Sequence, residues 1–277
     1  MLTRRAPRAR AGGGRPVDTP AGVRRIAALL RRGTFNVVLT GAGVSTESGL
    51  PDFRSKGGLW SGTDPARVAS LSAFHRDPRA FYAFYQTRLA ALAGAAPNAA
   101  HRAIARLEAL GAVHLVVTQN VDGLHQQAGS REVVEVHGNL REARCAGCGA
   151  LRPIAALAEA LRSAALPRCA ACGGLLRPNV VLFEELLPAA AYGRAQSACE
   201  TCGVLLVVGS SLEVYPVAGL PALAVREGAR LAIVNREPTP LDGEADVVVR
   251  DDAGAALPRI ADEVASGHPD RSAEANA

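Results

Sequence analysis

Short apolar runs rich in β-branched residues recur along the chain, separated by stretches whose apolar positions repeat every three to four residues. The runs are Asn36 to Thr40, His114 to Thr118, Val204 to Gly209, Leu231 to Asn235 and Asp246 to Val249. They are apolar at consecutive positions, as strands are when helices cover a sheet on both sides. Strands alternating with helices predict an α/β fold, a Rossmann-like doubly wound parallel sheet. Two intervals break this rhythm. From residue 49 to 98 the chain reads as loop and helix without a clear strand, and residues 138–180 are rich in Cys, Gly and Pro. Both read as insertions, at about 51–98 (helical) and 138–180, forming a smaller module beside the sheet. The folded body is expected over 21–267, between a disordered basic tail at 1–20 and a flexible polar tail at 268–277.

Composition adds less than pattern. With 277 residues, 48% of them apolar, the chain has ample material for a core. No apolar run approaches the roughly 18 residues a bilayer span needs, and the start MLTRRAPRARAGGGRP lacks the apolar segment of a secretory signal. No membrane partner and a cytoplasmic location are therefore expected. The net charge of +5 is unevenly placed: residues 1–32 hold nine Arg against the single acid Asp18, so the remainder carries about −3. Contact with nucleic acid is expected, if anywhere, only through the basic N-terminal tail.

Cys145, Cys148, Cys169 and Cys172 form C-x2-C-x20-C-x2-C, each pair in a glycine-containing knuckle. This spacing lets two loops present four thiolates to one Zn²⁺, and four sulfurs leave no open position for substrate, so the metal would be structural. Cys199 and Cys202 form another C-x-x-C on the approach to VLLVVG, with no second pair to share a metal. They read as core thiols.

The segment VVLTGAGVSTESGLPDFR opens with a buried strand and turns through Gly41, Ala42 and Gly43. Close glycines after a strand let backbone N–H groups approach a pyrophosphate. The spacing G-x-G-x5-G differs from the standard dinucleotide fingerprint, so the turn alone is an incomplete signal. Downstream come TQNVDGLH at 118–125, VHGN at 136–139 leading into the four cysteines, VVGSS at 207–211 and IVN at 233–235. Together, in this order and spacing, these motifs resemble the sirtuin family of NAD-dependent protein-lysine deacylases, over about Val23 to Val264.

The resemblance implies cleavage of the nicotinamide–ribose bond of NAD and transfer of the acyl group of a modified lysine to ADP-ribose. The products would be nicotinamide, O-acyl-ADP-ribose and free lysine. It implies cofactor contacts from Gly41, Ala42, Gly43 and Thr46, from Phe53 and Arg54 on a closing loop, and from Gln119, Asn120, Val121 and Asp122. Gly209, Ser210, Ser211, Asn235, Glu237 and Ala253 complete that set. His137 would be the general base, with Asn120 placing ribose hydroxyls and a water; imidazole has the pKa to take a hydroxyl proton near neutrality. His101, His114 and His125 read as structural, and His75 and His268 as surface residues. Acyl-lysine proteins or peptides would lie as a strand in the cleft between domains, against Phe183, Glu184, Glu185 and Val214.

Tyr85 and Arg88 form a Tyr-x-x-Arg that resembles the pair reading acidic acyl groups in the desuccinylase branch. An Arg fork suits a terminal carboxylate, although Phe81, Tyr82, Phe84, Tyr85 and Arg88 could equally pack one helix face. Lys56 stands where that branch carries a small alanine, and would either narrow the acyl pocket or itself meet a carboxylate. Glu184 replaces the glycine of the usual F-G-E, either altering peptide docking or pointing outward. Two other readings are a mono-ADP-ribosyltransferase on the same NAD site and a nucleic-acid-binding zinc protein. The acidic body and the set Asn120, Asp122 and His137 weigh against the second.

Overall fold

The structure is a computed structural model and describes residues 18–53, 58–59, 62, 64–163 and 165–267. Arg54, Lys56, His268 and most of both expected tails lie outside the described residues. The helices are α1 (Thr19–Arg32), α2 (Pro65–Val68), α3 (Leu71–Arg76), α4 (Pro78–Ala93), α5 (Ala99–Ala109), α6 (Leu124–Gln127), α7 (Ile154–Arg162), α8 (Ala189–Thr201), α9 (Leu220–Arg226) and α10 (Ala253–Ser266). The strands are β1 (Asn36–Thr40), β2 (Leu115–Thr118), β3 (Val133–Glu135), β4 (Gly138–Cys145), β5 (Leu151–Pro153), β6 (Leu176–Val180), β7 (Val204–Val208), β8 (Arg230–Val234) and β9 (Val247–Val249).

Six strands form one parallel sheet in the order β3-β2-β1-β7-β8-β9. The chain runs outward from β1 to one edge and then from β7 to the other, which is the doubly wound topology. β1, β2 and β7 are buried at every position. Alternate side chains divide between two cores: Val38, Val116 and Leu206 pack under α1, α5 and α10, while Val37, Leu39, Val117 and Leu205 pack under α8 and α9. Cys199 and Cys202 lie in the second core, and burial pushes both thiols up to about 12, which keeps them protonated and inert. α1 begins at Thr19, with Pro20 in its first turn, so the last two positions of the expected tail are helical.

β3 is a strand that the hydrophobic pattern does not announce. It has three residues, pairs only with β2 and follows the charged pair Arg131 and Glu132, so too little apolar periodicity marks it. The second sheet, β5-β4-β6, is antiparallel and carries the cysteine knuckles at one end. Its core is shared with the helical insertion: Phe74, Phe81, Tyr82 and Tyr85 pack with Leu140, Leu157, Leu176 and Leu182.

Candidate active site

A doubly wound sheet offers its ligand crevice beyond the carboxyl ends of the strands, where the strand order reverses. Here that point lies between β1 and β7, and the two loops leaving these strands touch. Gly43 N–H donates to the Gly209 carbonyl at 2.9 Å and Gly41 N–H to the Val208 carbonyl at 3.2 Å. A Cβ on Gly43 would sit 2.8 Å from the Gly209 oxygen, and one on Gly209, whose φ is 59°, would sit 2.3 Å from the Val44 nitrogen. These glycines are thus required by the meeting of the two loops, a reason additional to the approach of a phosphate. Directly after Gly41 the chain enters a seven-residue 3₁₀ turn, Ala42–Ser48.

The loop after β2 brings Gln119, Asn120 and Asp122 to the same place. Ser45 is the hub: its hydroxyl donates to Asp122 Oδ2 at 2.7 Å and accepts from Asn120 Nδ2 at 3.0 Å. Asp122 Oδ1 accepts from the Leu124 N–H, and the Asn120 N–H donates to Thr118 Oγ1. The carboxylate and amide are therefore fixed before any ligand arrives. His101 and His125 lie behind them, fully buried with ring centroids 4.9 Å apart. Burial pushes His101 down to about 4, with Asp122 opposing, and His125 down to about 3. Both rings are neutral at pH 7. The motif alone gives Ser45 no role, because only the tertiary contact with Asp122 discloses one.

His137 lies just before β4. Its Nδ1 is 3.0 Å from the Gln119 carbonyl oxygen. A carbonyl only accepts, so Nδ1 carries the proton and Nε2 keeps its lone pair. Burial lowers the His137 pKa, with the Gln119 carbonyl opposing, so the neutral form is favoured. Gln119 also donates through Nε2 to Ser210 Oγ at 3.0 Å, linking the ends of β2 and β7.

A cavity of about 120 Å³ opens beside this network, its walls including Ala42, Phe53, Arg88, Asn120, Val121 and Asp122. The Arg88 guanidinium stands 5.5 Å from the centre of the Phe53 ring. Tyr85 is buried against Phe81 and Phe84, and burial raises its phenol pKa so that it stays protonated. Elsewhere along the crevice, Thr46 Oγ1 donates to the Gly43 carbonyl, Asn235 Nδ2 donates to the Glu237 carbonyl, and Ala253 opens α10. Ser211 and Val214 are half-exposed and Glu237 is exposed on their loops.

Phe183 is exposed on the loop after β6, but both neighbouring carboxylates turn toward protein groups. Glu185 accepts from Arg177 Nη2 at 2.5 Å and from the Leu182 N–H, while Glu184 accepts from Ser72. No motif singles out Arg177. It is the largely buried partner that holds Glu185 inward.

The four sulfurs of Cys145, Cys148, Cys169 and Cys172 all lie within 4.8 Å of one another. Four thiolates at about 2.3 Å from a tetrahedral Zn²⁺ would stand about 3.8 Å apart, and the Cys145–Cys172 and Cys148–Cys169 sulfurs are 3.4 and 3.9 Å apart, so the set fits one closed structural zinc.

A doubly wound sheet with polar groups converging on its switch point, joined to a four-thiolate module, defines a nucleotide-binding α/β enzyme with a structural metal. Residues 41–216 match the model of the Sir2 family, and the chain belongs to that family. It is 46% identical over 239 residues to an NAD-dependent protein deacylase 2 of Pyrobaculum aerophilum, covering 86% of this chain and 94% of the relative. With an NAD-dependent protein deacylase of Ralstonia nicotianae it shares 51% over 226 residues, covering 81% and 89%. The solved structure of a Sir2 homologue–NAD complex superposes with TM-score 0.84 at 38% identity, covering 93% of this chain and 97% of that one. A Sir2–p53 peptide–NAD+ structure gives 0.81 at 38%, covering 88% and 98%.

Proposed function

We infer that this chain removes acyl groups from protein lysines at the expense of NAD and one water, yielding nicotinamide, O-acyl-ADP-ribose and free lysine. Bound at the switch point, NAD supplies the ribose carbon that accepts the acyl oxygen and the hydroxyls that carry the acyl group away. Gln119, Asn120, Ser210 and Asn235 hold ribose and phosphate oxygens, and Asp122, fixed by Ser45, orients the nicotinamide amide. His137 takes the ribose hydroxyl proton on Nε2. The observation that carries this reading is the 3.0 Å bond from His137 Nδ1 to the Gln119 carbonyl, which leaves the other nitrogen free as a base. Phe183 and Val214 flank the acyl-lysine peptide.

The acyl group enters the cavity beside Asn120. Arg88 is a wall of that cavity, and burial lowers its pKa with the Asp122 carboxylate among the groups that oppose the shift, the mark of a cation drawn into a low-dielectric site. A succinyl or malonyl carboxylate is a fitting counter-ion for it, with the protonated Tyr85 phenol as a second donor, so acidic acyl-lysines are accepted alongside acetyl-lysine. The test is mass spectrometry on one peptide prepared with acetyl- or succinyl-lysine and incubated with the protein and NAD. Deacylated peptide with O-acyl-ADP-ribose is the expected result. Protein that gains ADP-ribose while both acyl groups stay in place would overturn it in favour of the transferase.

A further inference from the structure

Among the described residues only Glu184 and Leu212 are non-glycine residues with positive φ, at 78° and 56°. They lie on the two loops that carry Phe183 and Val214. A left-handed backbone is unfavourable for a residue with a Cβ and persists only where surrounding contacts over-determine it.

At Glu184 those contacts are on view. The carboxylate accepts from the Ser72 N–H at 2.9 Å and from Ser72 Oγ at 2.6 Å, in the first turn of α3. These bonds hold the Glu184 carboxyl below its ordinary pKa, so it is ionised at neutral pH. One residue earlier, Phe183 N–H donates to the Ala69 carbonyl and the Phe183 carbonyl accepts from Leu71 N–H, a parallel bridge between Ser70 and Phe183. One residue later, Glu185 is clamped to Arg177. Neither the backbone N–H nor the C=O of Glu184 itself has a partner among the described residues.

We propose that Glu184 is a positioning residue for the acyl-lysine peptide: its bond to Ser72 holds residue 184 in the left-handed conformation that turns its backbone N–H and C=O toward an incoming strand. The proposal rests on the deacylase reading. In this chain the side-chain tether does what a glycine does by conformational freedom, and it adds a rigid link to the helical insertion. The peptide groove is therefore built before the peptide arrives, which lowers the ordering cost of binding.

The test uses the full-length, zinc-containing protein and an acetyl-lysine peptide, with peptide and NAD varied separately. Glycine accepts φ 78° without strain, so Glu184→Gly removes the tether without imposing a new backbone conflict, and a thermal scan checks that it folds. Its KM for peptide should rise by about three- to tenfold, the loss of hydrogen bonds to a charged group at an exposed site, with kcat and the KM for NAD within about twofold. Glu184→Gln, which keeps an acceptor oxygen for Ser72, should restore most of the affinity. Ser72→Ala added to Glu184→Gly should cost nothing further. The Ser72 amide should exchange hydrogen faster in Glu184→Gly, whatever the activity.

An unchanged peptide KM in Glu184→Gly, a Gln variant as impaired as the Gly variant, or equal rises in the peptide and NAD KM values would each overturn the proposal. A wild-type protein that folds but leaves the acyl peptide intact in the presence of NAD would instead defeat the deacylase reading, and the proposal with it.

Discussion

At His137 a single hydrogen bond decides which nitrogen does chemistry. Because Nδ1 is spent on the Gln119 carbonyl, His137→Ala should lower kcat by about 10²- to 10⁴-fold, the usual contribution of a positioned base, while NAD binding by calorimetry persists. Burial lowers the pKa of this ring, so the base form survives to lower pH than for a free imidazole. The acid limb of kcat/KM should therefore fall below 6.5, and a limb above that value would show that another group titrates. Arg88→Met should reduce succinyl-lysine turnover by about tenfold or more and spare acetyl-lysine, since a charge-assisted fork is lost only for the acidic acyl group. Equal loss on both would make Arg88 structural. The VHGN and NVDG residues are legible in the sequence because they sit in contiguous motifs. Ser45 is not, although it lies inside the glycine-rich motif, because its role is created by an aspartate 77 positions away.

Among the elements, five of the six strands of the parallel sheet, β1, β2, β7, β8 and β9, can be read from sequence because burial on both faces leaves an apolar run. β3 cannot, and neither can the strands of the cysteine module, whose sheet pairs short segments around knuckles and turns. The shared core of that module and α4 is equally hidden, since nothing local announces that Phe81 meets Leu157. Cys145 belongs to this core as well as to the thiolate cluster. Metal analysis should find one zinc per chain. Cys145→Ala should abolish it and lower the thermal midpoint, because the module loses a cross-link and a packed side chain together. A metal-free Cys145→Ala protein with wild-type stability would refute the structural assignment.

For the molecule as a whole, ligand and proton linkage report on the same crevice. NAD at 100 times its Kd should stabilise the protein by about 2.7 kcal/mol and raise Tm by about 5–10 °C, measurable by scanning fluorimetry. His101 and His125 have folded pKa values pushed down to about 4 and about 3, against 6.5 for the free ring. The unfolded chain takes up protons near pH 6.5 that the folded chain refuses, so stability should fall as pH drops from 6.5 toward 3. His125→Gln should make that decline shallower, and an unchanged slope would place the acid sensitivity elsewhere. No described helix is long and apolar enough to cross a membrane. The backbone contact of Gly41 and Gly43 with Gly209 has a further consequence, for how such a chain can change. Where two loops meet main chain to main chain, almost any added side chain collides, so mutation has little room to explore on the cofactor side of the crevice. The wall carrying Arg88 belongs to the helical insertion, and the loop carrying Glu184 meets that insertion through a side chain, so neither depends on the main-chain contact of these glycines. A lineage built on this scaffold can vary the acyl groups and peptides it reads while its handling of the dinucleotide stays as it was.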